Sequence, residues 1–252
     1  EAGEDAFMVC DMGSGLREFG LDSLRRCAEG HPRDYHLFLS VLHWDHIMGF
    51  PHFRPAYEAG ARIVIHTGHP DAEPVLRRQQ SQGVFPVPYE ALKSHIEFAY
   101  HPPGERLTIA GMWVTLLEQA HPHGSFGYRF EQPGQAVVYS TDAEHSAATM
   151  ETESAFVDFF RRADLVICDT MHELAVTPSV REDSGHSSNL VAVDLCHAAG
   201  AQRLALFHHE PRASDADIQQ MHVETLHYEA LVRGERPPLQ VLCAYDGLEL
   251  EV

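Results

Sequence analysis

Leu39-Ser-Val-Leu-His-Trp-Asp-His-Ile-Met-Gly-Phe-Pro51 carries the strongest indication of fold and chemistry in this chain. It places His43, Asp45 and His46 within four residues, directly after the apolar-rich run Tyr35–Leu42. Imidazole nitrogen and carboxylate oxygen are the ligands that suit Zn, Fe and Mn, and two histidines with one aspartate nearly complete a mononuclear site. A chain that leaves a strand and turns into a helix here can direct His43 to one metal ion and Asp45 and His46 to a second.

Short β-branched runs alternate with amphipathic stretches along the chain, which is typical of a layered α/β domain. Helices are predicted over residues 16–29, 71–82, 151–162, 187–199 and 214–233. Strands are predicted over residues 6–10, 35–41, 62–66, 107–117, 126–130, 136–140, 164–168, 203–207 and 239–244. No linker or internal repeat stands out, so residues 1–252 are expected to form a single domain. Because so little sequence precedes the first strand, we expect the chain to lack a leading N-terminal strand segment.

Five of the predicted strands end at residues that bind metals or carry protons. These strand-end residues are His43, Asp45 and His46, then His121 and His123, then Asp142, then Asp169, and finally His208 and His209. Functional groups of α/β sheets collect at strand ends, where loops converge. The chain holds 19 histidines, so chance explains any one cluster, but five clusters at equivalent positions indicate a site.

The composition indicates a globular protein and limits the kinds of partner that it is expected to bind. Hydrophobic residues make up 44% and charged residues 22%, as in ordinary globular proteins. No apolar run reaches the roughly 18 residues of a membrane span, so no membrane partner is expected. The net charge of −19 disfavours a nucleic-acid polymer and favours a small substrate. Five scattered cysteines without a CxxC pair indicate a reducing cytoplasm rather than a disulfide framework.

Six motifs, in the right order, resemble those of the metallo-β-lactamase fold hydrolases over nearly the whole chain. The frame Val41-Leu-His-Trp-Asp-His46 resembles the family signature His-x-His-x-Asp-His, and the segment beginning at Asp11 resembles the turn that supports the site. The segments beginning at His121, Tyr139, Gly185 and Leu206 resemble the third ligand motif, the bridging-aspartate motif, a Gly-His-Ser motif and the last ligand motif. The resemblance is greatest to the branch with the tRNA 3′-processing endonuclease and phosphodiesterases.

The resemblance implies a four-layer αββα sandwich with the site along one edge of two facing sheets. It assigns His43, His121 and Asp142 to a first metal, and Asp45, His46, Asp142 and His208 to a second, with Asp142 as the bridge. The implied cofactors are two divalent ions, most readily Zn, with Mn or Fe as alternatives. A metal-activated water would attack the substrate. His186 would protonate the leaving oxygen or orient the phosphoryl group, and Asp45 would accept a hydrogen bond from the nucleophile.

Val41 departs from the family pattern, because it stands where the family has its first histidine and valine cannot bind a metal. Three consequences stay open. The remaining protein ligands with water suffice for a catalytic ion. Alternatively, a spare histidine, His123 or His209, substitutes for the missing ligand. In the third case the first site is weak, and the protein is mononuclear or inactive.

The sequence therefore predicts a metal-dependent hydrolase acting on a phosphodiester, with a small or cyclic nucleotide as the expected substrate. Thioester, lactone and β-lactam substrates stay open, since fold does not fix function. A mononuclear non-haem iron oxidoreductase is the alternative, because His43, His121 and Asp142 form a two-His-one-carboxylate set. A degenerate member that binds without turnover is a third hypothesis. Relatives of this branch often dimerise, so the resemblance also allows a homodimer.

Residues around the first motif are expected to have structural roles. Trp44 and Phe50 are predicted to pack the motif rather than to contact substrate. Four other histidines are predicted to lie on the surface or in loops: His52, His66, His69 and His101.

Overall fold

The structure is a computed structural model that describes residues 6–145, 154–171 and 185–252. The chain divides into two compact units, Glu1–Met112 and Trp113–Val252. The organisation of residues 1–252 as one domain stays a prediction. None of the helices in the described ranges has the length and apolar character that crossing a membrane requires.

The described elements follow the predicted alternation of strands and helices. The strands are β1 (Phe7–Cys10), β2 (Asp34–Leu39), β3 (Arg62–Thr67), β4 (His95–Tyr100), β5 (Arg106–Ile109), β6 (Met112–Gln119), β7 (Ser125–Gln132), β8 (Gln135–Ser140), β9 (Leu165–Asp169), β10 (Arg203–Phe207) and β11 (Gln240–Cys243). The helices are α1 (Leu16–Ala28), α2 (Trp44–Ile47), α3 (Ala72–Gln79), α4 (Ala155–Phe160), α5 (Asn189–Ala199) and α6 (Asp215–Val232). Part of the helix predicted over 151–162 falls on residues 151–153, which lie outside the described residues.

The first unit is built on a parallel sheet with the order β1-β2-β3-β4. One face of β2 packs Leu37 and Leu39 into a core with Leu16 of α1 and Leu76 of α3. Successive strand residues point to opposite faces, and nearly all of β2 is buried, as expected for a parallel strand covered on both sides. The carboxyl ends of β1 and β2 lie at the same sheet edge, which brings Asp11 beside the segment that follows Leu39.

Two strand predictions differ from the structure. β4 was not predicted, because its residues alternate between half-buried and exposed and give no continuous apolar run. The single strand predicted over 107–117 is instead the pair β5 and β6. Ala110 and Gly111 between them have φ of 46° and 79°, the conformation of a two-residue type I′ hairpin turn. The division of the chain into units falls directly after this turn.

The second unit contains a mixed sheet. β6 and β7, and β7 and β8, pair antiparallel, whereas β8, β9, β10 and β11 pair in parallel. Its core includes Val166, Leu204 and Leu206 of the sheet, packed with Leu195 of α5 and Met221 of α6. Because β6, β8, β9 and β10 run in the same direction, their carboxyl ends share one edge of the sheet. The loops after these four strands are therefore held together.

Three histidines of the first unit form a hydrogen-bonded row across the parallel sheet. His66 Nε2 lies 2.9 Å from His36 Nδ1, and His66 Nδ1 lies 3.0 Å from His101 Nε2. The predicted surface or loop placement was wrong for His66, which is buried within β3, whereas His69 lies in a loop as predicted and is also buried. β3 is covered along most of its length, which leaves only 5% of His66 exposed. His69 Nε2 lies 2.9 Å from the Ser40 carbonyl oxygen, which accounts for its burial.

We expect acid to destabilise the protein through His66. Burial lowers the pKa of His66 from 6.5 to about 3, with smaller contributions from His36, His101 and Arg62. His66 therefore takes up a proton near pH 6.5 in the unfolded chain but only near pH 3 in the folded chain. The free energy of unfolding falls as the pH drops from about 6.5 to about 3. One such histidine contributes a slope of about 1.4 kcal/mol per pH unit.

Urea unfolding between pH 7 and pH 4 measures this slope. The His66→Phe variant should lose less stability on acidification than the wild-type chain. Exposed His227 of α6 provides the matched control, since His227→Phe should leave the slope unchanged. Parallel slopes for wild type and His66→Phe would contradict the assignment.

Candidate metal centre

The first-unit cluster consists of Asp11, Ser40, His43, Asp45 and His46, and Asp11 organises it. Asp11 follows β1 with φ of 59°, a left-handed conformation that aspartate tolerates better than most residues. Its carboxylate accepts hydrogen bonds from Ser40 N at 2.7 Å, Ser40 Oγ at 2.7 Å and His46 Nδ1 at 2.8 Å. The bond to Nδ1 fixes the tautomer of His46 and leaves Nε2 as the nitrogen suited to a metal.

α2 presents the acidic ligand candidate beside this imidazole. His43 stands at the N-terminal cap of α2 in an extended conformation, and Asp45 is in its first turn. Asp45 Oδ2 lies 3.4 Å from His46 Nε2. Two ligands with bonds of about 2.05 Å to a tetrahedral ion are about 3.3 Å apart, so this pair has the spacing of two ligands of one ion.

Two glycines bring α2 against the turn that follows β1. Met12 N donates to the His46 carbonyl oxygen, and Gly49 N donates to the Met12 carbonyl oxygen, both at 2.8 Å. A Cβ atom at Gly49 would lie 1.9 Å from the Gly13 carbonyl oxygen, and one at Gly13 would lie 2.7 Å from the Asp45 carbonyl oxygen. Only glycine permits this backbone approach. The contact fixes the position of His46 relative to Asp11.

The second-unit cluster consists of His121, Asp142, Asp169, His186 and His208, which follow or end the strands that share an edge. Asp142 is almost fully buried, with φ of 46°. Its Oδ2 lies 3.6 Å from His121 Nε2, and its Oδ1 lies 3.3 Å from His208 Nε2. Each carboxylate oxygen thus faces a different imidazole at a ligand-to-ligand distance. This arrangement suits a carboxylate that would be shared between two ions.

Asp169 is among the strand-end residues that the sequence indicates, but it was assigned no role at the site. It is fully buried at the end of β9, and its Oδ2 accepts a hydrogen bond from His186 Nδ1 at 2.6 Å. Asp142, Asp169, His186 and His208 offer ligand atoms that all lie within 4.8 Å of one another. The available signal was its position, since Asp169 ends a strand between the strands that lead to Asp142 and His208.

Gly185 holds His121 through Nδ1, the ring nitrogen other than the one that faces Asp142. His121 Nδ1 lies 2.9 Å from the Gly185 carbonyl oxygen. Gly185 has φ of +80°, and a Cβ atom there would lie 2.4 Å from His121 Nδ1 and 2.6 Å from Pro122 Cδ. The glycine is therefore required both by its backbone conformation and by the space that the imidazole fills.

We expect Gly185→Ala to be markedly more destabilising than Gly134→Ala. Gly134 has φ of +85° but no atom within 4 Å of a Cβ, so its substitution reports the conformational cost alone. Gly185→Ala adds overpacking against His121, at a cost of about 1–3 kcal/mol. Free energies of unfolding from urea titrations measure the difference. Equal losses in the two variants would show that the space beside His121 is not restricted.

The remaining predicted residues divide into supported and corrected ones. Phe50 is fully buried, as predicted, but Trp44 is 59% exposed, so the prediction that it packs the motif was wrong. The first residue of α2 points its side chain outward because the core side of this short helix is taken by His46 and Ile47. His209 was a candidate to replace the missing first ligand, but its Nε2 lies 3.1 Å from the Ala244 carbonyl oxygen and is occupied by that hydrogen bond. The other spare histidine, His123, is exposed.

Residues 10–209 match the family model of the β-lactamase superfamily domain. The chain belongs to the β-lactamase superfamily. A matching curated relative is Ribonuclease Z of Thermoplasma volcanium, 28% identical over 116 residues, which are 42% of this chain and 36% of that protein. Ribonuclease Z of Thermoplasma acidophilum is 27% identical over 114 residues, covering 41% and 34%. The match with this chain thus spans only about a third of the length of these two relatives.

Solved structures confirm the predicted fold. The metallo-β-lactamase fold protein YhfI of Bacillus subtilis matches with a TM-score of 0.65 at 20% identity, over 95% of this chain and 85% of that one. The short form of human tRNase Z matches with a TM-score of 0.59 at 16% identity, over 95% and 85%. Yeast PDE1 matches with a TM-score of 0.61 at 18% identity, over 90% and 74%. The superfamily fold and the likeness to the tRNA-processing branch are as the sequence motifs predicted.

Proposed function

We propose that this superfamily member is a metal-dependent phosphodiesterase that acts on a small or cyclic nucleotide. The observation that carries the proposal is Asp142, whose two carboxylate oxygens face His121 and His208 at 3.6 Å and 3.3 Å. A buried carboxylate between two imidazoles suits a pair of cations, which need shared negative charge. The acidic net charge of −19 supports a small substrate over a long polyanion.

The proposed ligands are those that the motif resemblance assigns. They are His43, Asp45, His46, His121, Asp142 and His208. The donor set fits Zn, because its imidazole nitrogens and carboxylate oxygens are 3.3–3.6 Å from one another, near the separation of two ligand atoms that each bind one ion at about 2.0–2.2 Å. Two bound cations would supply Lewis acidity that lowers the pKa of a water and stabilises the charge that develops on the phosphoryl oxygens.

His186 is proposed to move the proton to the leaving oxygen. Asp169 accepts the Nδ1–H of His186, which leaves Nε2 to face the substrate. In the doubly protonated imidazolium form, which pairs with the Asp169 carboxylate, Nε2–H would give its proton to the leaving oxygen and the ring would become neutral. The His186 ring stacks on the His208 ring with centroids 5.1 Å apart, so the imidazole is held beside a proposed ligand. Asp45, with its exposed carboxylate, is proposed to accept a hydrogen bond from the nucleophile.

RNA is the second candidate substrate, and the two Ribonuclease Z relatives favour it. Their matched segments are about 115 residues long, so the likeness includes sequence and not fold alone. A polymer would require basic side chains to neutralise its phosphates, against 37 acidic and 18 basic residues in the chain. Cleavage of a 3′-extended RNA faster than of small phosphodiesters would decide for this candidate.

The cell compartment and assembly belong to the same proposal. All five cysteines are free thiols, which supports a reducing compartment such as the cytoplasm. A homodimer is proposed from the branch resemblance alone. Sedimentation of the purified chain would decide the assembly.

The test is metal content together with turnover of bis-p-nitrophenyl phosphate, for the wild-type chain and for Val41→His. Val41 is fully buried directly after β2, at the family position of the first ligand. We expect two divalent ions and turnover in the wild-type chain, and tighter metal binding in Val41→His. One tightly held iron and no turnover in either protein would contradict the hydrolase and favour the iron oxidoreductase. Substoichiometric metal without turnover would favour a binding protein.

A further inference from the structure

Trp44 exposes a large aromatic side chain between two residues that are proposed to hold metal ions. Its side chain is 59% exposed, although His46 and Ile47 of the same helix are buried. His43 precedes it and Asp45 follows it in the chain. Neighbouring Cα atoms are only about 3.8 Å apart, so the backbone that carries the indole is directly joined to that of two proposed ligands.

The backbone that carries Trp44 is held on both sides. Met48 N donates to the Trp44 carbonyl oxygen at 2.8 Å, and the helix is tied to the turn after β1 through Met12 N and Gly49 N. The Gly13–Gly49 contact leaves no room for this helix to shift toward that turn. The indole is thus presented from a fixed position, which lowers the entropy cost of binding a planar group.

An exposed indole on a fixed backbone is suited to stacking on a nucleobase. Every base offers a π face, and stacking on an aromatic side chain is tolerant of base identity. The indole N–H adds a polar edge, so the side chain accommodates water when no ligand is bound. Packing against the described residues does not account for Trp44, since more than half of its surface reaches solvent.

We propose that Trp44 is a specificity-determining residue that stacks on the base of a nucleotide whose phosphate lies at the metal centre. This inference rests on the proposed function, because it takes the nucleotide phosphate to the residues on either side of Trp44. It assigns the selection for a base-bearing phosphodiester to the variable position between His43 and Asp45. The phosphate fixes one end of the ligand, and the indole fixes the plane of the base at the other.

The fluorescence of Trp44 tests the stacking directly. The chain has two tryptophans, so Trp113→Phe leaves Trp44 as the single tryptophan. In this background, adenosine 5′-monophosphate should quench the emission, whereas ribose 5-phosphate, which has the phosphate but no base, should not. Equal responses to the two probes, or no binding of adenosine 5′-monophosphate, would overturn the proposal.

Calorimetric titration with the same nucleotide then assigns the affinity to the ring. Trp44→Ala should bind adenosine 5′-monophosphate about 10-fold or more weakly, and Trp44→Phe should recover most of the affinity. Leu231→Ala is the matched control, because Leu231 is 83% exposed on α6 and outside the motif. Unchanged affinity in Trp44→Ala would overturn the proposal, as would a loss of metal in that variant that accounts for the weaker binding.

Turnover separates this inference from the proposed function. Quenching by adenosine 5′-monophosphate without any phosphodiester hydrolysis would support the stacking role and contradict the enzymatic activity. Hydrolysis of bis-p-nitrophenyl phosphate without a difference between the two probes would support the activity and overturn the stacking role.

Discussion

Asp142→Asn is expected to abolish phosphodiester hydrolysis and to release bound metal. The buried carboxylate of Asp142 faces His121 and His208 with separate oxygens, and an amide supplies neither the charge nor two equivalent acceptors. Metal ions supply several kcal/mol of charge stabilisation, so losing them lowers turnover by about a thousandfold or more. Asparagine also tolerates the left-handed conformation at φ of 46°, so the backbone can keep its course.

Metal analysis and turnover of bis-p-nitrophenyl phosphate measure this effect, with circular dichroism to verify the fold. Asp158→Asn is the matched control, because Asp158 is exposed on α4 and pairs with Arg161 at the surface. It should retain both metal and activity. Retention of both in Asp142→Asn would refute the bridging role.

Gly49→Ala is expected to be strongly destabilising. Its Cβ would lie 1.9 Å from the Gly13 carbonyl oxygen and 2.9 Å from the Met12 carbonyl oxygen, and both neighbours are backbone atoms that cannot rotate away. The segment after α2 would have to separate from the turn after β1, breaking the bond between Gly49 N and Met12 O. We expect a loss of about 3 kcal/mol or more in the free energy of unfolding.

Gly15→Ala provides the control at a nearby glycine. Gly15 has φ of −63° and no atom within 4 Å of a Cβ, so its substitution should change stability by no more than about 0.5 kcal/mol. Chemical denaturation of the two variants compares them directly. A small effect of Gly49→Ala would mean that α2 can move away from Asp11 without cost.

The sequence predicted the site residues best where they directly follow a strand. β10 was predicted with the same bounds, and the side chains after β6, β8 and β10 do meet in the second-unit cluster. Parallel strands impose this convergence, so a list of strand-end residues already indicates most of a site. Asp169 was in this list of strand-end residues but received no role, because aspartates end many strands and its partner His186 lies 17 positions along the chain.

The exposure of individual side chains, and their contacts with distant parts of the chain, could not be predicted from the sequence in this way. Trp44 and Phe50 are both aromatic and six positions apart, yet one is 59% exposed and the other fully buried. Hydropathy cannot separate them, because Trp44 lies on the outward side of a one-turn helix, whereas Phe50 follows that helix and packs into the first-unit core. Likewise, His66 ends the predicted strand 62–66, but the strands that bury it on either side are distant in sequence, so its burial could not be read from the local sequence.

The hydrogen bonds of the histidine row (His36, His66 and His101) require the three rings to carry their protons on the same ring nitrogen. A neutral imidazole has one N–H and one lone pair, so the links from His66 to His36 and to His101 can both form only if all three rings have the same tautomer. With every Nδ1 protonated, the terminal N–H belongs to His101 and points toward Glu105 Oε2, 3.4 Å away. With every Nε2 protonated, it belongs to His36 and points toward Asp34 Oδ1, 3.9 Å away. The three rings therefore switch together, and the charge at either end of the row selects the tautomer at the other.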